Sequence, residues 1–210
     1  MFKRIPHKET IMKGNARIED YLEKTKRRQR IYTRVIKQIK DTGIGGHYLE
    51  IGSGPGILTT RVAESNPGVK ITALESSPEM VMVSRKIIAQ KKLSHRISVH
   101  TGFAEDRALM ESLGPFDLIY SNFSLHHWEN PVKALEAMKT AIKLRGTILI
   151  ADLKRVWWLW GVPSQGGFIE SIRAAYLPGE IGKMINAAGI THYSIITPFP
   201  WLWQIVTVPF

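Results

Sequence analysis

The chain of 210 residues is long enough for one doubly wound domain with a sizeable core, and its apolar fraction of 44% is ordinary for a globular protein. It contains no cysteine, which excludes disulfides, thiolate nucleophiles and cysteine-ligated zinc. No apolar run approaches the roughly 20 residues of a membrane span, and the N-terminus has no apolar signal-peptide core. A cytoplasmic location is therefore expected.

The formal net charge of +11 is concentrated at the N-terminus, because residues 1–40 hold 13 Lys and Arg against 4 Asp and Glu. Residues 1–20 show no strong periodicity and are predicted to be an arm. Residues 19–40 carry a partial apolar stripe typical of a helix, interrupted by a basic stretch at residues 24–30. That stretch is either a solvated helix face or a docking site for an anionic partner such as RNA, an acidic lipid surface or an acidic small molecule.

Short apolar runs then alternate with helical patterns up to residue 151. Strands are predicted at residues 47–51, 69–74, 97–100, 116–120 and 147–151. Helices are predicted at residues 57–65, 78–92, 105–113 and 131–143, with Gly146 on the C-cap side of the last one. This alternation implies a parallel sheet with right-handed crossovers.

The pattern changes after residue 152. Residues 153–178 are rich in Trp, Pro and Gly and are predicted to form a lid, whereas residues 179–188 are predicted to be a helix. Strands at residues 193–197 and 204–208 suit a terminal antiparallel pair. We expect a single α/β domain over residues 1–210, with a doubly wound, mostly parallel seven-stranded sheet, a terminal antiparallel strand and helices on both faces.

A glycine-rich turn, Leu49-Glu-Ile-Gly-Ser-Gly-Pro-Gly56, joins the first of these strands to the next helix. Such a turn lets the backbone approach a ligand closely and leaves helix amides free, although an ordinary tight turn is the alternative. Glu75 ends the next strand, 19 residues beyond Gly56, where a carboxylate suits a ribose diol. Glu50 precedes the glycines and would repel a pyrophosphate, but not an ammonium or sulfonium group. The turn therefore favours S-adenosylmethionine over a dinucleotide.

Further motifs follow in chain order. They are Thr72-Ala-Leu-Glu-Ser-Ser-Pro-Glu-Met80, Gly102-Phe-Ala-Glu105, Phe116-Asp-Leu-Ile-Tyr-Ser-Asn-Phe-Ser-Leu-His-His-Trp128 and Lys143-Leu-Arg-Gly146. Together with the glycine turn they resemble class I S-adenosylmethionine-dependent methyltransferases. The Phe116 motif is similar to the small-molecule type found in ubiquinone and menaquinone biosynthesis. The resemblance covers residues 45–152 well and residues 179–208 loosely.

The resemblance implies contacts to each part of the cofactor: the methionine group, the ribose and the adenine. The implied contact residues are Glu50, Gly52, Ser53, Gly54, Gly56, Glu75, Ser76, Met80, Gly102, Phe103, Ala104, Ser121 and Asn122. Phe103 departs from the family, which often has an Asp there to contact the adenine amino group. Glu105 or Asp106 are the alternatives for that contact.

The acceptor side of the site is less clearly marked. His126, in the His126-His127 pair, is a candidate general base near the acceptor, with a structural role as the alternative. We expect the two adjacent rings to point in different directions, and no metal site is predicted. The Trp-rich segments at residues 156–160 and 199–203 are interpreted as packing of the lid and terminal strands, or as an apolar acceptor pocket or membrane contact.

The leading hypothesis is methyl transfer to a small, apolar or aromatic acceptor by in-line displacement. One alternative is an RNA or protein methyltransferase that docks its substrate on the basic N-terminus. Two features count against particular groups of nucleic-acid methyltransferases. Ser121-Asn-Phe-Ser124 lacks the Asn/Asp-Pro-Pro-Tyr/Phe pattern of base-amino methyltransferases, and the lack of cysteine excludes cysteine-dependent cytosine methylation. The other alternative is a non-catalytic cofactor-binding module.

Overall fold

The computed structural model describes residues 2–6, 29–163, 167–199 and 202–210. Within them lies a seven-stranded sheet with the order β3-β2-β1-β4-β5-β7-β6. The first five strands are parallel, while β7 runs antiparallel to both β5 and β6. The strands are β1 His47–Ile51, β2 Lys70–Glu75, β3 Ile97–Thr101, β4 Phe116–Asn122, β5 Ile142–Leu153, β6 Ser194–Ile196 and β7 Trp203–Pro209. The predicted fold class is confirmed.

Helices connect the strands and cover both faces of the sheet. They are α1 Gln29–Asp41, α2 Ile57–Ser65, α3 Pro78–Gln90, α4 Arg107–Leu113, α5 Pro131–Ala141, α6 Phe168–Ala174 and α7 Pro178–Ala187, with 3₁₀ turns at Leu125–His127 and Trp157–Leu159. Helix α3 shows how the sequence determines where a helix begins. The Ser77 hydroxyl accepts a hydrogen bond from the Met80 amide at 3.3 Å, and Pro78 follows, where its missing N–H costs nothing.

Continuous burial of the central strands explains their apolar sequences. Residues 148–151 of β5 are all buried, as expected when helices cover both faces of a parallel sheet. The strand order reverses between β1 and β4, which are neighbours in the sheet but far apart in the chain. In doubly wound sheets the loops after the two strands at such a point open a crevice. The expected site therefore lies where the loops after β1 and β4 meet.

The predicted boundary between the helix of residues 131–143 and the strand of residues 147–151 is wrong. Helix α5 ends at Ala141 rather than residue 143, because Ile142 already pairs with Phe116 as the first residue of β5. Gly146 consequently lies inside β5 and is not a helix cap. A β-carbon at Gly146 would lie 2.7 Å from Cγ1 of Ile142, so tight packing within the strand requires glycine there.

The N-terminal and lid predictions are tested only in part. Residues 7–28 lie outside the described residues, so most of the predicted arm and residues 24–28 of the basic stretch have no structural account. The predicted 19–40 helix is present as α1 from Gln29 onward. Within the predicted lid, the Trp157–Leu159 turn and α6 are elements that the sequence did not predict. Across the described part of the chain, no helix combines the length and apolarity that crossing a bilayer requires.

Candidate functional site

The glycine turn after β1 needs its glycines. Gly52, Gly54 and Gly56 have φ values of 70°, 53° and 76°, in the left-handed region that favours glycine. A β-carbon on Gly52 would lie 2.2 Å from the hydroxyl oxygen of Ser124, which belongs to the loop after β4. The two loops predicted to form the site are therefore packed directly against each other.

Glu75 is locked to the glycine turn. Its Oε2 accepts a hydrogen bond from the Gly54 amide at 2.8 Å, and its Oε1 accepts one from the Ser77 amide at 2.9 Å. A carboxylate has about four acceptor positions, so these two bonds leave others for a further donor. The end of β2 thus presents an oriented carboxylate beside the turn, as a ribose diol requires.

Glu50 is buried beneath the same turn. Its Oε2 accepts a hydrogen bond from the Tyr120 hydroxyl at 2.8 Å. Burial raises the pKa of Glu50 to about 7, and the Tyr120 hydrogen bond opposes that rise only in part. Burial also raises the pKa of Tyr120, with the Glu50 carboxyl adding to the effect. A cationic group of a ligand near Glu50 would stabilise its ionised form.

Two adjoining clefts open at this edge of the sheet, and Gly52 lines both. The methionine-side cleft, of about 330 Å³, is lined by Tyr32, Glu50, Gly52, Ser53, Pro55, Ile57, Leu58, Asn122 and Phe123. The adenine-side cleft, of about 480 Å³, is lined by Ile51, Gly52, Leu74, Ser76, Gly102, Phe103, Ala104, Glu105, Ser124, His127, Trp128 and Glu129.

Most of the predicted contact residues meet at these clefts. Five of the predicted residues line neither cleft: Gly54, Gly56, Glu75, Met80 and Ser121. Gly54 and Glu75 are bonded to each other in the glycine turn, whereas Met80 and Ser121 are buried. Sequence reasoning missed Tyr32 of α1, because nothing in its local pattern ties that helix to the glycine turn. It also missed Ser124 and Trp128, although both lie in the quoted β4 motif; the Trp128 indole donates to the Ser124 hydroxyl at 2.8 Å.

The polar groups of the methionine-side cleft fit the cofactor predicted for it. Ser53 and Asn122 line this cleft, and the Ser53 hydroxyl oxygen and Oδ1 of Asn122 are buried without a hydrogen-bond partner among the described residues. Buried polar atoms are normally paired, so such a group of them indicates a place for a polar ligand. A ligand with both an amino and a carboxylate group supplies donors and acceptors for them and a positive charge for Glu50.

The two carboxylates considered for the adenine contact have different roles. Glu105 lines the adenine-side cleft, and its Oε1 accepts a hydrogen bond from the Asn130 amide at 3.1 Å. Asp106 instead caps α4, where its side chain accepts from the Leu109 amide at 3.0 Å. Phe103 lines the cleft and is half exposed, with the ring available for stacking.

His126 is buried against the end of β5. Its Nδ1 lies 2.7 Å from Oδ1 of Asp152, and its backbone amide donates to Oδ2 of Asp152 at 2.9 Å. His127 lines the adenine-side cleft, whereas His126 lines neither cleft. The prediction that the two rings point in different directions is wrong, because in the 3₁₀ turn their centroids lie 4.2 Å apart, with the ring planes tilted by 40°. No group of three or more metal-ligating side chains occurs among the residues the structure describes.

The N-terminal residues 2–6 pack on this side of the molecule. The Arg4 guanidinium donates to the carbonyl oxygens of Ala174 at 2.6 Å and His126 at 3.1 Å, and it lies 4.1 Å from the centre of the Tyr176 ring. The Phe2 ring lies 5.5 Å from that of Trp160. This short N-terminal segment therefore joins the 153–178 segment to the turn that carries His126.

The described tryptophans of the two Trp-rich segments differ in how far they are buried. Trp203 is buried in the core beside β5, as expected for packing of a terminal strand. Trp157 and Trp158 are 66% and 47% exposed, so they do not serve as core. Trp201 lies outside the described residues.

The fold and the site together define a class I S-adenosylmethionine-dependent methyltransferase domain. Its two clefts open at the carboxyl ends of β1, β2 and β4. Residues 42–178 match a protein family described as "Methyltransferase domain". The chain belongs to this family.

Individual relatives agree with that assignment. Ubiquinone biosynthesis O-methyltransferase of Xanthomonas campestris pv. campestris (strain B100) is 29% identical over 111 residues, covering 53% of this chain and 44% of that protein. Ribosomal RNA small subunit methyltransferase C of Salmonella paratyphi B is 25% identical over 133 residues, covering 63% of this chain and 32% of that protein. The chain spans less than half the length of these curated relatives.

The fold also matches solved methyltransferases. The crystal structure of a SAM-dependent methyltransferase from Aquifex aeolicus superposes with a TM-score of 0.65 at 20% identity, covering 82% of this chain and 87% of that one. Identity at this level speaks for the fold alone.

Proposed function

We propose that this protein transfers a methyl group from S-adenosylmethionine to a small, apolar or aromatic acceptor. The observation that carries the proposal is the pair of oriented carboxylates around the glycine turn. Glu75 is fixed by the Gly54 amide at 2.8 Å, and the buried Glu50 lines the same cleft as Ser53 and Asn122, which carry buried polar atoms with no partner among the described residues. In this proposal Glu75 holds the ribose hydroxyls, while Glu50 faces the amino end of the methionine group.

The cofactor, when bound, supplies a methyl group that its sulfonium charge has already activated. The acceptor oxygen or nitrogen forms its bond to the methyl carbon as the carbon–sulfur bond breaks, and S-adenosylhomocysteine leaves. The work of the chain is then to align the acceptor and to keep water out. A proton released by the acceptor needs a base.

His126 is the proposed base. A carboxylate only accepts hydrogen bonds, so the Asp152 contact places the ring proton on Nδ1 and leaves Nε2 as the basic nitrogen. Because Nδ1 faces Asp152, Nε2 points away from that carboxylate.

Residues 153–178 are the proposed lid over the acceptor. Their inner face is apolar: Leu153, Val156, Ile172 and Ala175 form a buried cluster of their own, separate from the two larger clusters of the sheet. These four side chains are themselves buried and line neither cleft. In this proposal the cluster seats the lid on the sheet and keeps water out, which favours an apolar acceptor over a charged one.

Calorimetric titration with S-adenosylhomocysteine tests the cofactor half of the proposal, and transfer of a labelled methyl group to 1-naphthol tests the acceptor half. We expect binding in the micromolar range and a methyl ether as product. Absence of binding heat would remove both the enzyme and the cofactor-binding-module hypotheses.

RNA is the second candidate acceptor, favoured by the charge bias of residues 1–40 and by the similarity to a ribosomal RNA methyltransferase. Binding of a generic RNA hairpin should then weaken steeply as salt rises, because phosphate contacts release counterions. Salt-independent or absent RNA binding leaves the small-molecule acceptor.

A further inference from the structure

Phe123 has a backbone conformation that aromatic residues rarely adopt. Its φ is 55°, and among the described non-glycine residues only Lys92 and Arg145 share a positive φ. Those two residues are exposed, whereas Phe123 is half-buried just after β4. Glycine or asparagine adopts this conformation with less strain. A phenylalanine here therefore needs a reason other than the turn itself.

The position of Phe123 supplies such a reason. Phe123 lines the methionine-side cleft together with Glu50 and Asn122. Its side chain also packs against the buried cluster of the proposed lid, beside Val156 and Ile172. Phe123 thus lies between the cofactor cleft and the apolar inner face of residues 153–178.

The backbone around Phe123 is held firmly. The Phe123 amide donates to the Ala151 carbonyl at 2.9 Å, which continues the pairing of β4 with β5. The next residue, Ser124, occupies the space that only glycine at position 52 leaves open. A turn fixed on both sides in this way gives the side chain at position 123 a single direction.

We propose that Phe123 is a specificity-determining residue, whose ring forms the apolar wall on which an aromatic or apolar acceptor packs beside the cofactor cleft. This inference rests on the proposed function and names the contact that selects its acceptor. Aromatic rings gain from such packing through both buried area and ring geometry. In this proposal the contact between the ring and the acceptor compensates for the strained backbone. Glycine would relieve the strain but would lack the ring.

The test compares Phe123→Gly and Phe123→Leu with Lys92→Gly, a matched change at another positive φ that lies on the surface. Each protein is saturated with S-adenosylhomocysteine and titrated with 1-naphthol, an uncharged aromatic hydroxyl compound. We expect Phe123→Gly to bind 1-naphthol about 10- to 100-fold more weakly than the unchanged protein, with Phe123→Leu in between. Lys92→Gly should bind it normally, and its affinity for S-adenosylhomocysteine should stay within about twofold of that of the unchanged protein.

Thermal unfolding separates this role from a purely structural one. Glycine relieves the backbone strain while it removes ring packing, so Phe123→Gly should melt within about 5 °C of the unchanged protein. A lower melting temperature with unaltered 1-naphthol binding would give the ring a structural role only and overturn the inference. Failure of the unchanged protein to bind 1-naphthol would overturn it as well. Failure to bind S-adenosylhomocysteine would instead contradict the proposed function.

Discussion

His126 and Asp152 form a buried pair in which one carboxylate fixes both the ring and the backbone of the histidine. Asp152 accepts hydrogen bonds from Nδ1 of His126 at 2.7 Å, from the His126 amide at 2.9 Å and from the Leu153 amide at 2.7 Å. The two side chains come from different strand ends, since His126 follows β4 and Asp152 lies in β5. This connection couples the stability of the β4 loop to the orientation of the proposed base.

Replacement of Asp152 by asparagine tests that coupling. The asparagine side chain has an NH₂ group in place of one carboxylate oxygen, and that group would face N–H donors that it cannot accept from. We therefore expect the free energy of unfolding to fall by about 2–3 kcal/mol. The kcat for 1-naphthol should fall about 100-fold as the ring loses its orientation, whereas S-adenosylhomocysteine affinity should hardly change. Urea unfolding, steady-state kinetics and calorimetry measure the three quantities.

Asp117→Asn is the matched control for that change. Asp117 also accepts hydrogen bonds from the His47 backbone amide and from the Lys143 side chain. It lies near the start of β4, however, whereas the clefts open at the end of that strand. It should lower stability without lowering kcat. A kcat in Asp152→Asn that matches the unchanged enzyme would end the assignment of His126 as the base.

Glu75→Gln is expected to weaken S-adenosylhomocysteine binding by about 10- to 100-fold, because charge-assisted hydrogen bonds to the ribose would be lost and the amide would oppose the Gly54 or Ser77 donor. Titration calorimetry at constant pH gives the affinities. Glu64→Gln, an exposed carboxylate at the end of α2, is the control and should bind normally. Equal affinities for both variants would remove the ribose assignment.

The buried Glu50 makes stability depend on pH. Because its folded pKa is raised from 4.5 to about 7, the native state binds the proton more tightly than the unfolded chain does. The stability it contributes is therefore full below pH 4.5 and is lost as the pH rises to about 7. Glu50→Gln removes this loss, so its unfolding free energy relative to the unchanged protein should rise by on the order of 3 kcal/mol across that window.

Urea unfolding at several pH values measures this difference, with Glu64→Gln as the surface control. A difference between Glu50→Gln and the unchanged protein that stays constant from pH 4.5 to 8 would contradict the raised pKa of Glu50. Calorimetry adds a second readout. A cationic ligand group near Glu50 should drive proton release on binding at pH values near 7, and Glu50→Gln should abolish that release.

Arg4→Ala tests the contact between the N-terminus and the site. Its guanidinium bonds the carbonyls of His126 and Ala174, so the variant should exchange hydrogen faster at amides in residues 124–128 and 171–175. Exposed Lys3→Ala is the control and should leave exchange unaltered. Normal protection of both segments in Arg4→Ala would show that residues 2–6 do not hold them.

Much of the sheet follows from local sequence. The strand of residues 47–51 and the helix of residues 57–65 have the predicted bounds, because their apolar patterns and glycine punctuation are local features. Prediction failed where pairing with a residue far away in the chain competed with the local pattern. Ile142 leaves α5 for β5 because it pairs with Phe116, 26 residues earlier in the chain.

The part of the candidate site around the glycine turn was predictable because it lies in consecutive loops with characteristic residue types. The charges of Glu50 and Glu75 and the backbone freedom of Gly52 are enough to predict a small, cationic, nucleotide-like ligand. Tyr32, the Asp152 partner of His126 and the Arg4 contact were decided only by the tertiary structure, since each joins segments that no local pattern connects. The sequence by itself determined the class of fold and of cofactor. Only the folded chain decided which distant side chains meet around the clefts, because burial and long-range pairing depend on all the strands at once.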